Sequence, residues 1–241
     1  MFPLGDDNSD RRTQPVVNYT IIGLNVLVFL IFQRLGGNDA FTYAFSLVPR
    51  EIVTGIDLQS AIRITDATGR MLGEIPQYPT PLPVYFNFLS SMFMHGSIMH
   101  LAGNMLFLFI FGDNLEDLLG HFRYLFFYLV CGFAAAGAQM ALDPNSVIPM
   151  LGASGAISGV LAGYLLMFPK RSVKALVFNV IMNVPAFVAI GIWILYQVVL
   201  GYFTPSDSGG VAYAAHIGGF VAGLLLVKIF ALGRRSRSYQ R

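Results

Sequence analysis

Long apolar runs separated by polar segments dominate this chain. A bilayer's hydrocarbon core, about 30 Å thick, is crossed by a helix of roughly 20 mostly apolar residues. Six runs approach that requirement: 16–33, 98–112 (with an apolar approach at 84–94), 122–142, 150–168, 175–203 and 211–232. The fifth is longer than one span needs. None of the six contains Asp or Glu. The pattern predicts an all-α integral membrane protein with six transmembrane helices. It divides the chain into an N-terminal tail at 1–15, a membrane domain at 16–232 and a basic tail at 233–241. The first run lacks a small-residue cleavage site, and Asp6, Asp7 and Asp10 precede it, so it reads as a retained span and not as a signal or transit peptide. The connection at about 34–83 is too long for a simple link, and loops of that length are often functional.

Composition narrows the class further. The 241 residues are 55% hydrophobic and 12% charged, with a mean hydropathy of +0.63, against about 25% charge in an average soluble domain. Disorder requires the opposite balance. A formal charge of +2, without a Lys/Arg stripe along a structured segment, argues against a nucleic-acid partner. The single cysteine, Cys131, excludes an internal disulfide framework and a cysteine-based zinc site.

Lys and Arg placement sets the expected orientation. With the N-terminus inside, the inner segments hold Arg11, Arg12, Arg123, Lys170, Arg171, Lys174, Lys228, Arg234, Arg235, Arg237 and Arg241. The remaining four, Arg34, Arg50, Arg63 and Arg70, all lie in the long outer loop, and long loops translocate largely regardless of charge. The short outer loops at 143–149 and 204–210 carry none. Both termini are expected in the cytoplasm, and the tail's arginines are expected to face anionic lipid.

In this topology the second, fourth and sixth runs all cross from outside to inside, and each opens with polar residues. The second has His95 just before it, then His100 and Asn104. The fourth opens with Gly152, Ala153, Ser154 and Gly155, the sixth with Ala215, His216, Ile217, Gly218 and Gly219. At about 1.5 Å per residue, Asn104, Ser154 and His216 fall at similar depth. Small residues four apart, at Gly155, Gly159 and Gly163 and at Ala215, Gly219 and Gly223, allow close helix packing in lipid. A serine becomes a nucleophile when a base takes its proton, and His216 is the candidate base. With no acid in the spans, the arrangement is a Ser154–His216 dyad, with His216 held by packing or by a neutral hydrogen bond. His100 and Asn104, four apart on one helix face, together with the Ser154 N–H, are candidate donors to an oxyanion. Each residue also has a plainer role. A membrane serine bonds its own helix, an asparagine clasps a neighbour, and an intramembrane histidine relays protons. His95 and His100 lie about 140° apart around a helix, and no His-Glu-x-x-His pattern occurs. No metal and no other cofactor is therefore expected.

Three motifs, His95-Gly-Ser-Ile-Met-His100-Leu-Ala-Gly-Asn104, Gly152-Ala-Ser154-Gly155 and Ala215-His216-Ile-Gly-Gly219, in this order and on these runs, resemble those of the rhomboid intramembrane serine proteases. The resemblance covers about 88–232. It implies a six-helix rhomboid-like bundle of the bacterial form, with Ser154 as nucleophile and His216 as general base. His100 and Asn104 would bind the oxyanion, while His95, Gly152, Gly155 and Gly219 would have structural or access roles. It also implies that Glu116 is a structural acid. The implied substrates are single-span membrane proteins, cut beside a small residue near the outer face of a bacterial cytoplasmic membrane. Two features depart from the family pattern. Ser158 occupies the position where some members carry an aromatic that stacks on the base. The only tryptophan, Trp193, is in the fifth run and not in the first outer loop. Two other readings are weighed: an inactive rhomboid-like binder of membrane helices, and a transporter with a histidine relay. The second normally shows intramembrane carboxylates or an inverted repeat, and neither is visible.

Overall fold

The computed structural model describes residues 2–65, 68, 70–204 and 210–234. The tail arginines Arg235, Arg237 and Arg241 and most of the loop at 204–210 lie outside the described residues. Strand β1 (Phe2–Asp6) is followed by α1 (Val16–Leu27), which continues through one π turn to Phe32. The long connection holds two short helices, α2 (Asp39–Ala44) and α3 (Pro49–Thr54), and a hairpin of β2 (Ile62–Thr65) and β3 (Met71–Ile75). A short α4 (Asn87–Ser90) leads into α5 (Ile98–Leu119) and α6 (His121–Leu142). Next come α7 (Ser154–Met167), β4 (Ser172–Val177), β5 (Val180–Pro185), α8 (Ala186–Phe203) and α9 (Tyr213–Phe230). Helices α5, α6, α8 and α9 are long and apolar enough to cross a membrane, and the α1 run and α7 are shorter apolar helices.

The bundle is built around α7. Every residue from Gly155 to Tyr164 is buried, as expected of a helix that is apolar on all sides. Neighbours α5, α6, α8 and α9 surround it. By contrast, the outward faces of α6, α8 and α9 leave Phe122, Phe126, Leu195, Tyr196, Leu225 and Ile229 exposed, which suits contact with lipid and not with water.

At one end of the bundle a polar network locks α1, α5 and α7 together. Glu116 of α5 is fully buried. It accepts the N–H groups of Val17 and Asn18, at 3.0 and 2.7 Å, and contacts His121 Nδ1 at 2.5 Å. A carboxylate at a helix N-terminus satisfies donors that have no partner within that helix. Asn18 donates to Leu108 O and accepts from Tyr124 OH. Strand β1 adds a second clamp, with Asp6 accepting from Tyr164 OH and from Asn114, at 2.5 and 2.8 Å. Arg11 pairs with Asp113, and Arg171 with Asp10.

Two expectations need correction. The run at 175–203 is not one helix. Its first part belongs to β4 and β5, which pair antiparallel, Ser172 opposite Pro185 through Val177 opposite Val180, while β1 adds to the other edge of β4. The turn places Phe178 and Asn179 at positive φ, which ends any helix there, and Pro185 then caps α8. The second sheet, β2 with β3, is likewise small, and the architecture remains the expected helical membrane bundle. In addition, α5 runs beyond 112 to Leu119, because the side chains of Asp113, Asn114 and Glu116 find partners in the N-terminal segment.

Asp6 carries a testable consequence. Burial raises its pKa from 3.8 to about 6, opposed by the Tyr164 hydrogen bond and reinforced by the nearby Asp113 charge. The folded state therefore favours the protonated carboxyl. Its stabilising contribution is complete below pH 3.8 and disappears as pH rises through about 6. Between pH 4.5 and 7, the wild-type chain in detergent should lose thermal stability relative to Asp6→Asn as pH increases. Parallel melting curves across that range would refute the assignment.

Candidate functional site

The three parallel helices α5, α7 and α9 begin at the opposite end, and their first turns converge. Ser154 is the first residue of α7. Gly152, two residues earlier, has φ +123° and donates its N–H to Ser91 O at 2.9 Å. A side chain there would be strained, and its Cβ would lie 2.8 Å from the His100 ring. Glycine is thus required both by the turn that starts α7 and by the proximity of His100.

Glycine contacts also set the distance between α7 and α9. A Cβ on Gly219 would collide with the carbonyl oxygen of Gly155, and one on Gly223 with that of Gly159. Gly155 itself faces Ala135 of α6, with 2.6 Å available to a Cβ. The expected small-residue packing is therefore present as direct backbone contact. At this separation His216 Nε2 lies 2.7 Å from Ser154 Oγ.

The imidazole is held on its other side. Gln197 Oε1 of α8 lies 2.7 Å from His216 Nδ1, and the Trp193 ring lies 6.0 Å from the imidazole, inclined by 38°. Ser158, at the expected aromatic position, donates to Ser154 O of its own helix at 2.7 Å. The bracket around His216 therefore comes from α8. Sequence reasoning overlooked Gln197, although it is the one amide of the apolar stretch 186–203, a visible signal.

His100 and Asn104 line the same cavity as Ser154 and His216, a space of about 840 Å³ that Gln197 and Trp193 also border. His95 is fully buried. Its Nε2 lies 2.9 Å from Asn104 Nδ2, and its ring packs edge-on against His100 at 5.1 Å. Gln33 fixes its backbone through both N–H and C=O. His95 thus buttresses the two residues that face the cavity. Residues Glu74 to Pro76 and Ser146 border the cavity mouth, which places part of the long connection over the site. No cluster of three or more His, Cys, Asp or Glu side chains suited to a metal occurs among the described residues.

Fold and site together define a polytopic membrane protein with a serine–histidine pair beside a cavity bordered by His100, Asn104 and Gln197. The family model described as "Rhomboid domain" matches residues 83–233, and the chain belongs to the rhomboid family. It is 30% identical over 216 residues to "Rhomboid protein 1, mitochondrial" of Saccharomyces cerevisiae, covering 86% of this chain and 51% of that protein. It is 26% identical over 233 residues to "Rhomboid protease GluP" of Bacillus subtilis, covering 93% and 38%. An 86-residue match at 36% identity, covering 36% of this chain and 6% of the relative, is to "Inactive rhomboid protein 1" of Drosophila melanogaster. The chain spans about half the length of the yeast relative.

The glycine contact can be tested directly. Gly219→Ala should lower the thermal unfolding midpoint in detergent, corresponding to about 1–3 kcal/mol for overpacking. Gly191→Ala on α8, where nothing lies within 4 Å, should leave it unchanged or raise it, since alanine favours a helix over glycine. Equal midpoints for the two variants would show that α7 and α9 are not in backbone contact.

Proposed function

We propose that this chain is a serine endopeptidase that hydrolyses peptide bonds in or near the transmembrane segments of membrane proteins. The observation that carries this reading is the 2.7 Å contact between Ser154 Oγ and His216 Nε2 at the edge of a large cavity that His100, Asn104 and Gln197 also line. Ser154 attacks the scissile carbonyl carbon while its proton passes to His216 Nε2. The carbonyl oxygen becomes an oxyanion, stabilised by the Ser154 N–H and by the side chains of His100 and Asn104. Collapse of the adduct breaks the C–N bond. His216 gives the proton to the departing amine, leaving an ester on Ser154. A water molecule then repeats the sequence, with His216 taking its proton and returning it to Ser154, and the new carboxyl terminus is released.

The length of α7 supports a water-accessible site within the lipid boundary. Its residues Ser154–Met167 extend about 21 Å at 1.5 Å per residue, short of the roughly 30 Å core. The deficit leaves room for the cavity above Ser154. An intact substrate helix hides its peptide bonds in internal hydrogen bonds. Suitable substrates are single-span proteins that unwind easily near the cut and present a small residue before it. In this reading both termini face the cytoplasm, the site faces the outer side of a bacterial cytoplasmic membrane, and membrane lipid surrounds the domain at 16–232. The relative named as inactive supplies the alternative of a rhomboid-like binder without catalysis.

A fluorophosphonate probe should label the wild-type protein and not Ser154→Ala. In liposomes, a reporter helix should be cleaved by the wild type alone. Asn104→Ala should reduce kcat about 10²-fold, the usual loss for one oxyanion donor. Labelling that persists in Ser154→Ala would refute the nucleophile. Reporter binding without cleavage would favour the binder.

A further inference from the structure

Along α8, the residues turned toward the bundle are Ala186, Ala189, Ile190, Trp193, Ile194 and Gln197, a spacing of three and four that marks one helix face. All but Gln197 are apolar. Around Gln197, in the second half of the helix, Leu195, Tyr196, Val198, Val199, Tyr202 and Phe203 are all exposed, whereas Gln197 is only 7% exposed. Burying an amide is unfavourable unless it gains hydrogen bonds. The bond it makes is the 2.7 Å contact to His216 Nδ1, through its oxygen.

That bond has a chemical consequence, because a neutral imidazole carries one proton on one of two nitrogens. A carbonyl oxygen facing Nδ1 accepts a hydrogen there, which leaves the lone pair on Nε2. This lone pair is the one that faces Ser154 Oγ at 2.7 Å. We propose that Gln197 is the positioning residue of the base: it holds His216 in the tautomer and orientation that let Nε2 take the Ser154 proton. The inference rests on the serine-protease reading and deepens it, since the dyad becomes a chain of three side chains from α7, α9 and α8. A neutral partner also stabilises the imidazolium through its carbonyl dipole, without placing a second charge in an apolar surrounding.

The groups facing His216 define the control conditions. They are Ser154 from α7, Gln197 and Trp193 from α8, and His100 across the cavity from α5. None is a carboxylate; Glu74 and Asp143 border the same cavity and are unchanged in every variant. Trp193 also touches Phe107 and Phe220; its packing fixes the height of α8, and Gln197 lies one turn further along.

Ring-¹⁵N NMR of wild-type protein in lipid tests the tautomer without a mutation. Nδ1 should be protonated and Nε2 unprotonated at neutral pH; the reverse tautomer overturns the proposal. Gln197→Met keeps the volume and removes the acceptor. It should lower both kcat and the fluorophosphonate labelling rate at least about tenfold, a share of the roughly 10²–10⁴ that general-base catalysis contributes. KM should stay at the wild-type value. Gln197→Glu restores an acceptor and should recover most of kcat. Its carboxylate should also move the acid limb of the kcat profile to higher pH, because an imidazolium beside it holds its proton more firmly. A Met variant that labels at the wild-type rate overturns the inference alone. So does a loss that Gln197→Glu fails to reverse. A wild-type Ser154 that does not label overturns the protease reading, and this inference with it.

Discussion

At the crossing of α7 and α9, the absence of two side chains determines where Ser154 and His216 lie. The Gly219 backbone rests against the Gly155 carbonyl, and Gly223 against that of Gly159. In lipid there is no hydrophobic force between helices, so association depends on close packing and on polar contacts. Backbone contact supplies the first, and the Ser154–His216 and Gln197–His216 hydrogen bonds supply the second. Packing and chemistry therefore share one piece of geometry. A change that separates these two helices by a methyl group also separates the hydroxyl from the imidazole.

The two ends of the bundle handle polarity differently. At the end where β1 lies, Glu116, Asn18, Asp6 and Asn114 make hydrogen bonds that tie α1, α5 and α7 into a closed lattice. At the opposite end the polar groups face a cavity. His95 braces Asn104 and His100, which line it, with Gln33 bonded to both the N–H and the C=O of His95. A rigid end and a hollow end follow from the same bundle, because α7 is too short to fill its full height. The rigid end holds the helix axes, so that side chains at the hollow end keep their positions without being buried completely.

Much of this arrangement was legible in the sequence, and the exceptions have physical causes. The helices at 16–33, 122–142 and 211–232 are read almost to their ends, because an uninterrupted apolar run has few alternatives. Ser154, His216, His100 and Asn104 stand out because polar residues are rare in such runs, and all four border one cavity. The run at 175–203 misled because apolar strands and apolar helices have the same hydropathy. In Val173 and Ala175 of β4 the buried positions alternate, a short signal overwhelmed by the run that follows. The extent of α5 was missed for the opposite reason. Asp113 and Glu116 read as loop residues until their partners, Arg11 and the start of α1, are brought close by the fold. The loop at 34–83 contains helices and a hairpin whose contacts, such as Leu47 with Met150, join segments far apart in the chain, so no local pattern announces them.

Gln197 illustrates how a histidine within a membrane bundle is held differently from the base of a soluble hydrolase. A buried carboxylate orients a histidine strongly, but within an apolar bundle its own desolvation costs several kcal/mol. The spans around His216 contain no such group, and the aromatic position on α7 is taken by Ser158, whose hydroxyl bonds back to Ser154 O. Both absences leave His216 Nδ1 without a partner on α7, whose one hydrogen bond to the ring is from Ser154 to Nε2. Support comes from α8, where Trp193 and Gln197, four residues apart, approach the ring from one face of that helix. An amide carries a large dipole and no net charge, so it can be buried at lower cost than an ion while still selecting one nitrogen of the ring. The position of α8 therefore bears directly on the geometry of the Ser154–His216 pair, although neither residue belongs to it.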